Sequence, residues 1–454
     1  MNTPSTEHVT SNTTEHEEAW PNPRYAWYVV IVLTIAYTIS FIDRQIISLL
    51  VGPIQADLGI NDFQISLLQG IAFASFYTLL GLPIGRLADK SNRRNLVAWG
   101  IFFWSLMTVA CGLAKNFTQL FFARMGVGVG EATISPCSYS MISDYFPKEK
   151  LSRALSIYFM GVYLGSGLAF IAGGAVIQMV AAAGQVSIPV VGEINAWQAT
   201  FIAVGLPGLF YTLLMFTVKE PKRRGLMKRD EDGSTDVTMK QALGFMFKRW
   251  RIYIMLSAGL GFHSMLGYAA ASWVPEYFIR TFGTGRADIA YIYGFIILFA
   301  ATAGVYSGGW LGDYLESKGH KDAKFKTMLI GLGCLLPFGI LFPLMPTENS
   351  AIIMLTFAAY FKGYPYGVSA AAIQVITPNQ MRGLVTAGYL FVMNIIGMGF
   401  GPAAVGFLTT YVFLDPSKVG LALSISAAFT IPLGIMFIAL ARKPYLRGLD
   451  QVRH

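Results

Sequence analysis

Apolar stretches long enough to cross a bilayer, about 20 residues each, recur from Tyr25 almost to Arg442 with only short polar breaks between them. A water-soluble domain cannot bury so many continuous apolar runs. Hydrocarbon offers no water to backbone N–H and C=O groups, so each run must satisfy its own peptide groups and is read as an α-helix. The pattern predicts helices at 25–51, 64–88, 95–115, 117–146, 153–183, 196–218, 250–281, 288–316, 325–345, 349–377, 383–412 and 418–441. The expected fold class is all-α integral membrane, with twelve transmembrane helices. Composition agrees: 54% of residues are hydrophobic and 13% charged, against about 25% charged in soluble domains.

The formal charge of +9 acquires a meaning once it is sorted by loop. The connections after the even-numbered helices, together with both tails, hold 27 of the 34 Lys and Arg residues. The opposite side holds Lys115, Arg280, Arg286 and Lys418, and Arg44, Arg124 and Lys362 lie within helices. This bias predicts both termini in the cytoplasm of a multi-pass protein of the inner (plasma) membrane. It is a topology signal and not a nucleic-acid footprint. Residues 1–24 read as a disordered cytoplasmic tail, since they lack a basic n-region and a small-residue cleavage site. Cys111, Cys137 and Cys334 lie in apolar segments and read as packing residues.

Two halves are expected. Residues 25–218 form an N-terminal six-helix bundle, 219–250 a charged cytoplasmic linker, 251–441 a C-terminal six-helix bundle, and 442–454 a cytoplasmic tail. The second and eighth helices end alike, in Gly85-Arg86-Leu87-Ala88-Asp89 and Gly309-Trp310-Leu311-Gly312-Asp313, each before a basic loop. The fifth and eleventh helices share a glycine-rich stretch, with Gly165 and Gly397 placed 232 residues apart. Half-chain periodicity of this kind implies two bundles related by an axis along the membrane normal.

The run Gly85 to Arg94, Gly-Arg-Leu-Ala-Asp-Lys-Ser-Asn-Arg-Arg, resembles the signature loop of the major facilitator superfamily. It departs at Asn92, where the family usually has glycine. The resemblance implies a conformational latch made of Gly85, Asp89, Arg93 and Arg94, with Asp313 as the counterpart in the second half. A narrower resemblance lies in the fourth helix, from Arg124 through Gly130-Glu131-Ala132 to Asp144-Tyr145-Phe146, and in Phe41-Ile42-Asp43-Arg44 of the first. These runs are similar to the Spinster branch, which implies a sphingolipid- or lysolipid-type solute. Hexuronate- and organic-anion-type branches also carry Asp-Arg in the first helix.

Asp43, Arg44, Arg124, Glu131 and Lys362 are the ionisable residues well inside apolar helices. Each costs about 2.5–3.5 kcal/mol on insertion scales, which makes a functional role the default. Arg124 and Glu131 are seven apart, hence on one helix face. The expected arrangement is a ladder in which Asp43 pairs with one arginine and Glu131 with another group. Asp43 or Glu131 would take a proton, which frees Arg44 or Arg124 for an anionic head group, because an unpaired carboxylate in low dielectric favours its neutral form. A static network locking the first helix to the fourth is the competing account. Lys362 is a second candidate anion contact, and His263 and Asn394 are candidate cavity-lining residues. Trp273-Val274-Pro275-Glu276 reads first as an interfacial anchor, with Glu276 as a possible gate.

No P-loop and no metal-ligand spacing are present in the sequence, so neither an enzyme nor a cofactor or metal is expected. The function expected is proton-coupled secondary transport by alternating access, performed by a monomer in contact with membrane lipids. A lysophospholipid or sphingoid phosphate is the first solute. A small organic anion or drug is the alternative, and a non-transporting receptor on the same fold is the alternative of another class.

Overall fold

The computed structural model describes residues 20–183, 186–188, 192–223, 239–377 and 382–452. Residues 1–19 of the tail expected at 1–24, and the acidic run of the linker, lie outside these. Among the described residues twelve long rods are traced, some of them broken. They are α1 (Pro23–Leu49), α2 (Asp62–Gln69 continuing as Ile71–Lys90), α3 (Arg93–Cys111), α4 (Phe117–Glu131 then Ile134–Tyr145), α5 (Lys148–Ala183) and α6 (Ala196–Met215) in the first half. The second half holds α7 (Trp250–Phe282), α8 (Arg286–Phe295 through Thr302–Ser317), α9 (Ala323–Leu341), α10 (Glu348–Lys362 then Tyr364–Val375), α11 (Arg382–Asn394 through Phe400–Phe407) and α12 (Val419–Val452). Below, the face carrying both chain ends is the terminal face and the other the far face.

Rod ends are set by local chemistry. Asn22 caps α1 with Pro23 at its first position, and Asn92, Asn116 and Thr347 accept hydrogen bonds from backbone amides at the starts of α3, α4 and α10. Among the described residues, ten rods are long and apolar enough to cross a membrane by themselves. The other two, α4 and α10, are broken at Ala132–Thr133 and at Gly363. At Gly363 a Cβ would lie 2.5 Å from the Val305 amide nitrogen, so α10 and α8 touch backbone to backbone there. Close approach of this kind replaces the hydrophobic drive that lipid does not supply.

Helix pairing repeats between halves. Within the first, α1 packs on α5, α3 on α6, α3 on α4 and α2 on α4; within the second, α7 packs on α11, α9 on α12, α9 on α10 and α8 on α10. The bundles meet through α5 with α8 and α2 with α11. The last helix runs on to Val452, past the end expected at 441, with Arg442 in its amphipathic continuation. A short far-face hairpin, Val186–Ile188 with Gly192–Ile194, also went unseen in a pattern dominated by helices.

Candidate functional site

The buried charges expected from the sequence converge between α1 and α4. Asp43, Arg124 and Glu131 have no exposure, and Arg44 is 8% exposed. Arg44 Nη2 donates to Glu131 Oε2 at 2.5 Å. Its guanidinium carbon lies 4.8 Å from the Phe41 ring centroid, 4.5 Å from Phe73 and 5.1 Å from Tyr77, an aromatic collar with cation–π geometry. The Tyr268 hydroxyl, on α7 in the other half, also interacts with Arg44.

Arg124 behaves differently. It donates to the backbone carbonyls of Asp43 at 3.1 Å, Arg44 at 3.4 Å and Leu68 at 3.4 Å, and so clamps α1 and α2 to α4. The Asp43 carboxylate, among the described residues, makes no hydrogen bond of ordinary geometry. The Trp104 indole N–H is the donor beside it, and Arg124 and Glu131 are its charged neighbours. The expected ladder is therefore reordered. Consecutive residues project about 100° apart on a helix, so Arg44 takes Glu131 while Asp43 turns toward Trp104, and Arg124 reaches the Asp43 carbonyl instead of its carboxylate.

Lys362 occupies the matching place in the second half. Glu131 ends the first segment of α4 and Lys362 the first segment of α10, 231 residues apart. A carboxylate in one bundle thus corresponds to an ammonium in the other, each at a helix break. Among the described residues Lys362 forms no ion pair, and its carbonyl lies 3.0 Å from His263 Nε2. His263 is buried, with its ring centroid 4.9 Å from that of Tyr366. Asn394 is half-buried and immediately precedes the π-helical turn Ile395–Gly399 of α11.

At the terminal face the expected latch residues part company. Arg93 is fully buried and donates to Asp144 Oδ2 at 2.5 Å, Glu220 Oε1 at 2.7 Å, Ser140 and the Pro221 carbonyl. The Arg94 backbone amide donates to Glu220 Oε2 at 2.9 Å, and its side chain to the Phe216 carbonyl. Together they fasten α3 to α4 and to the start of the linker. Gly85 has open space where a side chain would stand, and Asp313 is exposed. The Asp89 side chain lies outside the described residues.

Of a second cluster the sequence pointed only to Glu276, as a gate candidate. Arg280, near the far end of α7, grips Asp62 at the start of α2 through two bonds of 2.9 Å. It also donates to Glu276 at 2.8 Å, Gln55 at 2.9 Å and the Pro416 carbonyl at 3.0 Å. The Phe63 amide donates to Thr410 Oγ1 at 3.0 Å beside it. Polar ties between the halves thus gather at the far face. The available signal was Arg280 itself, one of four basic residues on the sparsely charged side. Asp62 escaped notice because it precedes the apolar run.

The model of the Major Facilitator Superfamily matches residues 33–402. This chain belongs to the major facilitator superfamily. It is a multi-pass membrane transporter and not an enzyme. Among superfamily members, it is 25% identical to an MFS-type efflux pump of Mycolicibacterium smegmatis, over 94% of this chain and 95% of that one. It is 26% identical to a probable L-galactonate transporter of Escherichia coli, over 91% and 89% of the two chains. Among solved structures, a bacterial homolog of the human lysosomal transporter Spinster in an inward-facing, unoccupied conformation superposes with a TM-score of 0.77 at 25% identity, covering 95% of this chain and 98% of that one. Within the superfamily the chain resembles the Spinster branch. Both the two-bundle fold and the family expected from the signature loop are thereby confirmed.

Proposed function

We propose that this protein is a proton-coupled carrier of an anionic amphiphile, with a lysophospholipid or sphingoid phosphate as the type of solute. The observation that carries the reading is the buried trio of Asp43, Arg44 and Glu131, in which one cation is shared with one carboxylate while a second carboxylate stands without a hydrogen bond of ordinary geometry. A carboxylate whose partner changes during the cycle changes its proton affinity, and that ties proton movement to the state of the arginine. When Glu131 is protonated, Arg44 is free for the head group; when Glu131 is ionised, Arg44 returns to it. Asp43 serves as the second proton site, and Arg124 positions Asp43 and Arg44 by donating to their backbone carbonyls. The aromatic collar suits the apolar body that follows such a head group.

The protein works by alternating access. The Asp62–Arg280 cluster holds the far side shut, so the solute enters and leaves this state from the terminal face. Both termini are cytoplasmic in the inner membrane, in keeping with the basic residues on that side, and the protein acts as a monomer. Arg93 and Arg94 brace the first bundle, while Lys362, His263 and Asn394 contribute from the second.

A sugar acid is the second reading, favoured by the similarity to a probable L-galactonate transporter. Proteoliposome uptake of a radiolabelled sphingoid phosphate and of galactonate, each with and without an imposed pH gradient, separates the two. Gradient-stimulated uptake of the amphiphile alone supports the first reading. Uptake of galactonate alone overturns it.

A further inference from the structure

A short helix, Met239–Lys248, leads into α7 at the terminal face, and the chain turns between the two at Arg249. It packs on α7 and on the first segment of α11. Met246 keys it onto α11: a Cβ on Gly388 would meet Met246 Sδ at 2.9 Å, so the glycine leaves the room that the methionine fills. Met246 is buried, and Phe245 is half-buried with its ring centroid 5.6 Å from that of Tyr253.

The residues that follow this seat turn outward. Phe247 is 64% exposed and Trp250 44%. Between and beside them stand Lys248 and Arg251, both exposed, and Arg249, half-buried. The Arg249 guanidinium carbon lies 4.9 Å from the Phe245 ring centroid and that of Arg251 5.6 Å from the Trp250 ring. Among the described residues none of these three cations makes an ion pair. From Met239 to Arg251 the sequence holds four basic residues and no acidic one. The end of α12 adds Lys443 and Arg447, exposed and four apart on one helix face. A Cβ on Gly448 would lie 3.4 Å from Ile252 Cδ1, which sets this end of α12 beside the start of α7.

Exposed aromatic rings interleaved with unpaired cations, at the level where an apolar helix begins, match the boundary between acyl chains and head groups. The charge decides which head groups. Each Lys or Arg held near an anionic leaflet is worth about fivefold in affinity, whereas a zwitterionic head group brings its own cation. An acidic peptide, such as the Asp230-Glu231-Asp232 run of the linker, would neutralise the cations and leave Phe247 and Trp250 in water. We propose that Met239–Arg251, with Lys443 and Arg447 beside it, is a binding surface for anionic phospholipids of the terminal-face leaflet. Phe247 and Trp250 enter the acyl boundary, while Lys248, Arg249 and Arg251 meet the phosphates. These lipids are components of the bilayer and not the transported solute. Through Met246 they act on α11, one of the helices by which the bundles meet.

The test places a photo-reactive benzophenone amino acid at Phe247 of the full-length protein, reconstituted in phosphatidylethanolamine with a minor share of phosphatidylglycerol. Illumination followed by mass spectrometry identifies what is joined to that position. The surface predicts phosphatidylglycerol adducts enriched at least fivefold over that lipid's share of the bilayer. It predicts that the variant Lys248→Gln, Arg249→Gln, Arg251→Gln returns adducts to the bulk lipid proportion while eluting as the wild type does in gel filtration. Adducts in bulk proportion on the otherwise wild-type protein overturn the proposal, as does the absence of lipid adducts. Crosslinks to the linker's acidic run overturn it in favour of a segment of the chain itself. No transported solute enters this measurement, so its failure leaves the proposed function standing.

Discussion

Arg44 and Glu131 form a 2.5 Å ion pair between α1 and α4, while Asp43, one residue before Arg44, keeps its carboxylate out of every ordinary hydrogen bond among the described residues. The two acids of the cluster are therefore not equivalent, and they respond differently to neutralisation.

Asp43→Asn replaces a buried carboxyl that makes no hydrogen bond of ordinary geometry among the described residues, and is expected to leave the melting temperature unchanged or raised. Glu131→Ala leaves the Arg44 guanidinium buried without its counter-charge and is expected to destabilise by about 3–5 kcal/mol. Scanning fluorimetry of the two purified variants in one detergent checks this. Equal losses in both would show that Asp43 holds a partner of similar strength.

The Asp62–Arg280 bridge crosses from α2 to α7 at the far face, and Arg280 places five hydrogen bonds there. Arg280→Ala is expected to shift the population toward a far-open state. With a single reporter cysteine in place of Ser48, labelling by a membrane-impermeant maleimide added to the far side should rise at least tenfold. An unchanged labelling rate would mean that the apolar contacts of α2 with α11 and α5 with α8 close that face by themselves.

Asp322 stands just before α9 and accepts from Arg442 Nε of α12 at 2.6 Å, with Lys326 Nζ at 3.5 Å. Burial pushes its carboxyl up, but the Arg442 guanidinium and the Lys326 ammonium outweigh burial and hold it below the ordinary carboxylate range. A folded-state value below the unfolded one gives stability that is present above pH about 4. That stability is lost as pH falls through the lower folded value. Asp322→Asn should thus lower the melting temperature at pH 7 and narrow its difference from wild type as the pH is taken below 4. A constant difference would contradict the linkage.

Much of this was legible in the chain. Twelve apolar runs, the Gly85–Arg94 loop and the half-chain repeat led to the fold, and the rarity of charge inside apolar helices singled out Asp43, Arg44, Arg124 and Glu131. Pairing within that cluster was not legible. Helical spacing tells which face Arg124 and Glu131 share, but not that Arg124 would spend its donors on carbonyls of α1 and α2. The correspondence of Glu131 with Lys362 hid behind opposite charge, since a repeat sought by identity misses positions where one half inverts the other. Asp62 lies at the start of α2, where nothing in hydropathy distinguishes a loop residue from a gate.

The central claim is that proton movement through Asp43 and Glu131 drives an anionic solute across the membrane. Its most direct test is uptake of a labelled sphingoid phosphate into proteoliposomes under an imposed pH gradient, for wild type, Asp43→Asn and Glu131→Gln, with solute counterflow at equal pH alongside. The account predicts gradient-stimulated uptake by wild type, and its loss by at least tenfold in both variants while counterflow persists. Gradient-stimulated uptake at the wild-type level in both variants would contradict it.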